Sequence, residues 1–403
     1  MNAQQDKHMP WPARAVLVAL QRLQAGSLTL TLPDGATRRF AGADAGPDAD
    51  LTVKDWSLFG HVLRGGDMAF AEAYIAGKCE TDDLAALLTL GAVNEAHIEQ
   101  AFQANWWRRA VWRLLHLRRD NSRAGAKRNI QAHYDLGNDF YALWLDPSMT
   151  YSSGIYEGGI YDGDASRGLQ AAQDAKYARI LDRLGVRQGD SVLEIGCGWG
   201  GFAEAAAKRG ARVKAITISN RQLDYARERM AKNDLSHTVD IDFRDYRDLQ
   251  GSYDHIVSIE MIEAVGERYW PDYFTVLRRH LKPGGKALVQ AITIADKAFE
   301  QYRRSTDFIQ RYVFPGGMLL SPTKLEEQAK QAGLRLADAY EFGKDYARTL
   351  AAWLERFDTV REKMRGMGFD DKFTRMWRYY LAYCIAGFAS GRTDVLQAEL
   401  VHA

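Results

Sequence analysis

The stretch Val192-Leu193-Glu194-Ile195-Gly196-Cys197-Gly198-Trp199-Gly200-Gly201 constrains the chain more than any other. An apolar run meets a turn rich in glycine, and Phe202–Arg209 beyond it has helical spacing. A strand that enters a helix through glycines lets a ligand approach the backbone closely. The string also satisfies G-x-G-x-x-G, which by itself admits a dinucleotide or a purely structural turn. Glu194 argues against the dinucleotide, because a carboxylate at the strand end holds a cationic amino group and repels a pyrophosphate. The end of the next strand, Ala215–Ser219, carries no acid for a nicotinamide ribose, and Asp224 falls a turn into the following helix. S-adenosylmethionine (SAM), with its zwitterionic amino acid and sulfonium, fits Glu194 and the turn of Gly196, Cys197, Gly198 and Gly200 better.

Two further clusters fall where a ligand of this kind would extend. Thr217, Ser219 and Gln222 stand at the junction of the second strand and its helix, where hydroxyls and amides can bind a ribose. Capping of the helix by Ser219 is the competing reading. Arg244 and Asp245 follow the third strand, where an adenine would be gripped, unless the loop is only solvated.

From about residue 175 the pattern alternates between strand and helix. Ser191–Ile195, Arg212–Ile218, Val239–Phe243, Asp254–Glu260 and Lys286–Ile294 read as strands. Phe202–Arg209, Asn220–Lys232 and Tyr269–Leu281 read as helices. The alternation predicts an α/β fold with a largely parallel sheet covered by helices on both faces. Asp296–Gln310, Pro322–Ala332, Thr349–Arg365 and Phe373–Ala389 read as further helices and Thr393–Val401 as a last strand.

Residues 1–100 read as a separate N-terminal accessory domain. Ser27–Thr31 alternates and then meets Pro33-Asp34-Gly35, which predicts a hairpin. Leu51–Leu63 reads as a strand or turn, and Gly65–Leu90 as helix–turn–helix with Asp67 and Thr81 as caps. Residues 101–129 interleave Trp106, Trp107 and Trp112 with Arg108, Arg109, Arg113, Arg118 and Arg119. Such a helix can lie on an anionic membrane surface, or pack its tryptophans and leave its arginines in water.

Composition adds exclusions. The 403 residues carry a formal net charge of +1, which gives no pointer to nucleic acid. Three scattered cysteines, Cys79, Cys197 and Cys384, draw neither a disulfide framework nor a zinc spacing, so no metal is expected and a reducing, cytoplasmic setting is favoured. The apolar run Leu84–Val93 is far too short to span a bilayer.

Beyond the cofactor turn, the sequence resembles a known family. Ile130-Gln131-Ala132-His133-Tyr134-Asp135-Leu136-Gly137-Asn138, Pro147-Ser148-Met149-Thr150-Tyr151-Ser152 and Glu194–Gly201 are similar to the cyclopropane-fatty-acyl-phospholipid synthases and mycolic acid cyclopropane synthases. Met261-Ile262-Glu263, Tyr312–Gly317, Phe342–Tyr346 and Tyr379–Cys384 add to the likeness, which is dense over 130–403. The resemblance implies a class I SAM-methyltransferase sheet, with Tyr151 and Ser152 closing over SAM and substrate-covering helices within 296–335 and 346–390. It also implies that the substrate is an unsaturated phospholipid acyl chain, reached from the inner membrane surface. A homodimer is left open.

In that chemistry an alkene attacks the sulfonium methyl and leaves a carbocation, so water must be kept out. Aromatic faces can stabilise the cation, with Tyr312, Phe314, Tyr346, Tyr379, Tyr380 and Tyr383 as candidates. A base then removes a proton from the new carbon and the ring closes. The resemblance implies that this base is bicarbonate, held by Ser153, Glu263, Gln290, Tyr346 and Cys384. Family synthases commonly carry Cys at the first of these positions and His at the third, so Ser153 and Gln290 weaken the expected bicarbonate site. The leading expectation is cyclopropane formation. The alternative is methyl or methylene branching without ring closure, and an alternative of another class is a non-catalytic lipid- or SAM-binding regulator.

Overall fold

The computed structural model describes residues 9–95, 97, 136–156 and 165–403. The basic aromatic stretch 101–129 and His133 therefore lie outside the described residues. Those described divide into two compact units: positions up to 97 together with Asp358–Ser390, and the remainder through Phe357 together with Gly391–Ala403. The expected domain over 130–403 thus meets a different division, because residues 358–390 group with the N-terminal part.

The first unit holds a four-stranded sheet in the order β2-β1-β3-β4, from β1 (Ala25–Thr31), β2 (Thr37–Ala41), β3 (Asp44–Val53) and β4 (Cys79–Glu80). The expected hairpin joins β1 to antiparallel β2. Gly35 takes φ +83° in its turn, and the Asp34 carboxylate accepts from the Ala36 amide at 3.1 Å. The first long helix runs Ser57–Ile75, eight residues earlier than the expected start at Gly65, and is broken at Gly66 with φ +61°. Asp83, not Thr81, caps the next helix, Leu84–Val93, accepting from the Ala86 amide. Thr81 instead bonds Asp50. The helix Asp371–Ala389, capped by Asp370, packs on both of these helices.

The second unit is built on a seven-stranded sheet in the order β10-β11-β9-β8-β5-β6-β7. Its strands are β5 (Ser191–Ile195), β6 (Arg212–Thr217), β7 (Val239–Phe243), β8 (Tyr253–Ile259), β9 (Leu281–Ile294), β10 (Leu334–Glu341) and β11 (Thr393–His402). β5 to β9 pair in parallel, while β11 runs antiparallel to both β9 and β10. Period-two alternation sends Leu193, Ile195, Ile256 and Val289 into one core and Val192, Val257 and Leu288 into the other. The sheet is thus buried on both faces, as its apolar strands require. The chain runs β5-β6-β7 toward one edge and then returns to β8 on the other side of β5. That reversal opens a crevice at the carboxyl ends of β5 and β8, where ligands bind in such sheets.

Candidate functional site at the strand reversal

The glycine turn leaves β5 at this crevice. Gly196, Gly198 and Gly200 all take positive φ, at +85°, +51° and +83°. A Cβ on Gly196 would lie 2.9 Å from Met261 Cγ, so the turn is closely packed there, whereas a Cβ on Gly198 would meet open space. The amides of Gly196 and Cys197 both donate to Ile216 O at 3.0 Å and hold the turn against β6. Gly200 precedes the helix Gly201–Lys208.

Glu194 is 3% exposed, and its Oε2 has no hydrogen-bond partner among the described residues. Burial pushes its carboxyl up to about 8, against the pull of the Ala203 amide and the Arg229 and Lys176 charges. A buried carboxylate oxygen with no donor is costly, and a ligand ammonium would satisfy it. The orphaned Glu194 oxygen and the open backbone at Gly198 fit the amino-acid end of SAM.

The second expected cluster is assembled, though largely on itself. Thr217 Oγ1 and Gln222 Oε1 lie 3.0 Å apart, and Ser219 Oγ accepts from the Gln222 amide, capping the helix Asn220–Lys232. Arg244 pairs with Asp242 at 3.2 Å, and Asp245 is clamped bidentately by Arg247. Arg244 and Asp245 thus have protein partners of their own at the carboxyl end of β7.

Tyr151 and Ser152 sit in a strapped segment. The Ser152 carbonyl accepts from Gln173 at 2.8 Å, and its hydroxyl accepts from Lys176 at 2.5 Å. The Gly154 amide donates to Thr349 and the Tyr156 amide to Asp345. Aromatic rings bridge this segment to the turn. Trp199, whose indole donates to Asn138, packs on Tyr141; Tyr141 and Trp144 pack on Tyr151; Tyr151 packs on Trp353, and Trp353 on Tyr346. Trp144 and Trp353 are fully buried and were not singled out by sequence reasoning. Their wide separation in sequence gave no signal, although a wall of rings suits a site that must exclude water and face a cation.

The expected anion-holding set is only partly gathered, and around a different carboxylate. Glu260 Oε1 accepts from the Ser153 amide at 2.9 Å and from Gln290 Nε2 at 2.8 Å, and Oε2 accepts from the Tyr346 hydroxyl at 2.6 Å. The Ser153 hydroxyl turns to the Gly154 carbonyl, and Gln290 Oε1 is fixed by Gln397. Glu263 bonds none of these three donors; its Oε1 accepts from the Ile292 amide and its Oε2 has no partner among the described residues. Burial pushes the Glu263 carboxyl up to about 8, with the Glu260 charge adding to the rise. Cys384 lies on the helix Asp371–Ala389 of the first unit, while the other four members belong to the second.

Glu260 was read only as the last residue of a strand. Two signals marked it: an acid ending an apolar parallel strand, and Glu263 three residues on. In the structure β8 ends one residue earlier, at Ile259, and Glu260 follows it with φ +49°, a conformation that a side chain adopts at a cost of about 1–2 kcal/mol.

Comparison with known proteins agrees with this geometry. Residues 121–398 match the family described as mycolic acid cyclopropane synthetase. The tuberculostearic acid methyltransferase UfaA1 of Mycobacterium tuberculosis is 43% identical over 358 residues, 86% of this chain and 81% of that protein. The cyclopropane-fatty-acyl-phospholipid synthase of Escherichia coli is 36% identical over 343 residues, 84% of each. Among solved structures, mycolic acid cyclopropane synthase CmaA1, complexed with SAH and CTAB, superposes with a TM-score of 0.63 at 28% identity, covering 68% of this chain and 97% of that one.

The sheet order, the glycine turn and these likenesses define a class I SAM-dependent methyltransferase. More narrowly, the chain belongs to the mycolic acid cyclopropane synthetase family, whose chemistry is SAM-dependent methylene or methyl transfer to lipid acyl chains. Gly196, Gly198 and Glu194 are the residues that would hold SAM, which would supply an electrophilic methyl group there. Among the described residues no helix is long and apolar enough to cross a membrane.

Proposed function

We propose that the protein methylates the double bond of unsaturated phospholipid acyl chains and yields a methyl- or methylene-branched chain without closing the ring. One observation carries this reading: Ser153, Gln290 and Tyr346, expected to hold a bicarbonate, donate instead to Glu260. A tethered carboxylate bound on three sides is a weaker and less mobile proton acceptor than a bicarbonate turning a free oxygen to the new carbon. Slower proton removal gives the cation time for a hydride shift, after which loss of a proton forms a double bond instead of a ring. The 43% identity to a tuberculostearic acid methyltransferase supports the same outcome.

Cyclopropane formation is the second reading, favoured by the 36% identity to the Escherichia coli synthase. The test uses SAM bearing a deuterated methyl and vesicles of monounsaturated phospholipid. Mass spectrometry should find deuterium in the acyl chains, and the labelled product should take up hydrogen over a mild catalyst. A labelled product that resists hydrogenation and shows cyclopropane protons by NMR would replace this reading with the second. An unlabelled lipid would defeat both.

A further inference from the structure

Three donors from three separate elements end on one carboxylate at the carboxyl end of β8. The Ser153 amide comes from the strapped 152–156 segment, Gln290 from the middle of β9 and Tyr346 from the helix Gly343–Thr359. Ser153 and Gln290 have no exposure and Tyr346 only 6%, whereas Glu260 itself is only partly buried. We infer that Glu260 is the built-in proton acceptor of the reaction, standing where an exogenous bicarbonate would otherwise be held. The inference rests on the reading of acyl-chain alkylation given above and names the group that completes it.

Lone-pair counting supports the role. A carboxylate offers about four acceptor sites. Two on Oε1 and one on Oε2 are engaged, so one remains on Oε2 for one proton. The same donors cannot also serve a second anion, which the Glu260 charge would repel. The backbone points the same way. Glu260 holds φ +49° where glycine would rest without strain, and strain kept at a ligand-binding strand end is there for the side chain it positions. Burial raises the Glu260 carboxyl, while the Tyr346 hydroxyl, the Lys176 charge, the Ser153 amide and Gln290 oppose that rise and favour the ionised form that can accept a proton.

The step balances without a further reagent. Once a 1,2-hydride shift has moved the cationic centre to the carbon that bears the new methyl, a C–H bond of that methyl breaks and its electron pair fills the centre as a new C=C bond. The proton passes to Glu260 and from there to water. Ring closure would use the same acceptor, with the electron pair forming a C–C bond instead.

The test compares the full-length protein with Glu260→Gly, which relieves the backbone strain, and with Glu260→Gln. Lipid labelling from SAM is measured in carbon-dioxide-free buffer with and without added bicarbonate. Bicarbonate and SAM binding are measured by calorimetry. The parent should label lipid at the same rate with or without bicarbonate. Glu260→Gly and Glu260→Gln should lose at least about a hundredfold in bicarbonate-free buffer. Bicarbonate should restore Glu260→Gly at least about tenfold and bind it at least about tenfold more tightly than the parent, with SAM affinity kept within about threefold. A parent that requires bicarbonate, or Glu260→Gly working at the parent rate without it, would overturn the inference. A parent that labels no lipid would sink the substrate reading, while the calorimetry still decides this one: bicarbonate binding equally well to parent and Glu260→Gly refutes it.

Discussion

The ammonium of Lys176 donates to the hydroxyl of Ser152 at 2.5 Å with no part of the lysine exposed to solvent. The ammonium also donates to Gln173 Oε1 at 2.7 Å and lies 4.5 Å from the centre of the Tyr177 ring. Burial brings Lys176 down to about 7, against the pull of Glu260, Asp146, Glu194 and Asp174. Between about pH 7 and its ordinary value of 10.5 the unfolded chain binds the proton that the folded one has released. Lys176 therefore makes the fold more stable as pH rises through that window, and the contribution is lost as pH falls through about 7. In Lys176→Met this slope should vanish. Thermal unfolding at several pH values should show the variant losing ground to the parent between pH 7 and 9.5; a constant difference would contradict the buried, depressed lysine.

Glu194→Ala should weaken SAM binding by at least about tenfold, from loss of a charge-assisted bond of roughly 1.5–3 kcal/mol. Its buried Oε2, without a partner among the described residues, is what a ligand ammonium would meet. Calorimetry that returned the parent's affinity would remove Glu194 from the cofactor site.

Arg375 anchors the helix Asp371–Ala389 within the first unit. It donates to the carbonyls of Tyr74 and Cys79 and to both oxygens of Glu80, and lies 4.2 Å from the centre of the Tyr74 ring. A lysine has no planar fork to serve these acceptors together. Arg375→Lys should cost about 1–3 kcal/mol in denaturant unfolding while SAM affinity is kept. Unchanged unfolding would show the anchor to be dispensable.

The stretch 101–129 yields a prediction from sequence alone. Replacing Arg108, Arg109 and Arg113 by Gln should weaken binding to anionic vesicles, and the parent's binding should fall as salt rises, because exposed charges are screened. Equal co-sedimentation of parent and variant would assign the arginines to an ordinary wet face.

Strands bounded by clear punctuation were legible to the residue. Ser191–Ile195 and Val239–Phe243 match β5 and β7, because the first is a short, largely apolar run closed by glycine and the second a run with alternating burial closed by a charged turn. β9 proved longer than Lys286–Ile294, because Pro283-Gly284-Gly285 reads as a turn yet lies inside a strand whose register shifts there. β10 was missed: at the sheet edge only Leu334 is buried and every other position is half-exposed or exposed, so its apolar signal is thin. The cofactor turn was legible because it is contiguous. The Glu260 site was not, because its donors lie 107, 30 and 86 positions away in sequence and converge only through the fold. The family pattern drew attention to Glu263, three residues past the carboxylate that those donors reach.

Both units depend on chain that is made late. The first is completed by Asp358–Ser390, after the body of the second has been synthesised, and the second by β11, which lies between β9 and β10 and carries the Gln397 that fixes Gln290. No single cut therefore separates an accessory piece from a catalytic one. A truncation that removes the helices Ser57–Ile75 and Leu84–Val93 strips the helix Asp371–Ala389 of neighbours it packs on, and one that stops before residue 393 opens the catalytic sheet between two strands. On the ribosome, the first unit cannot reach its final form before residue 390 has been made, nor the second before β11 has been, so the nascent chain must carry two unfinished cores.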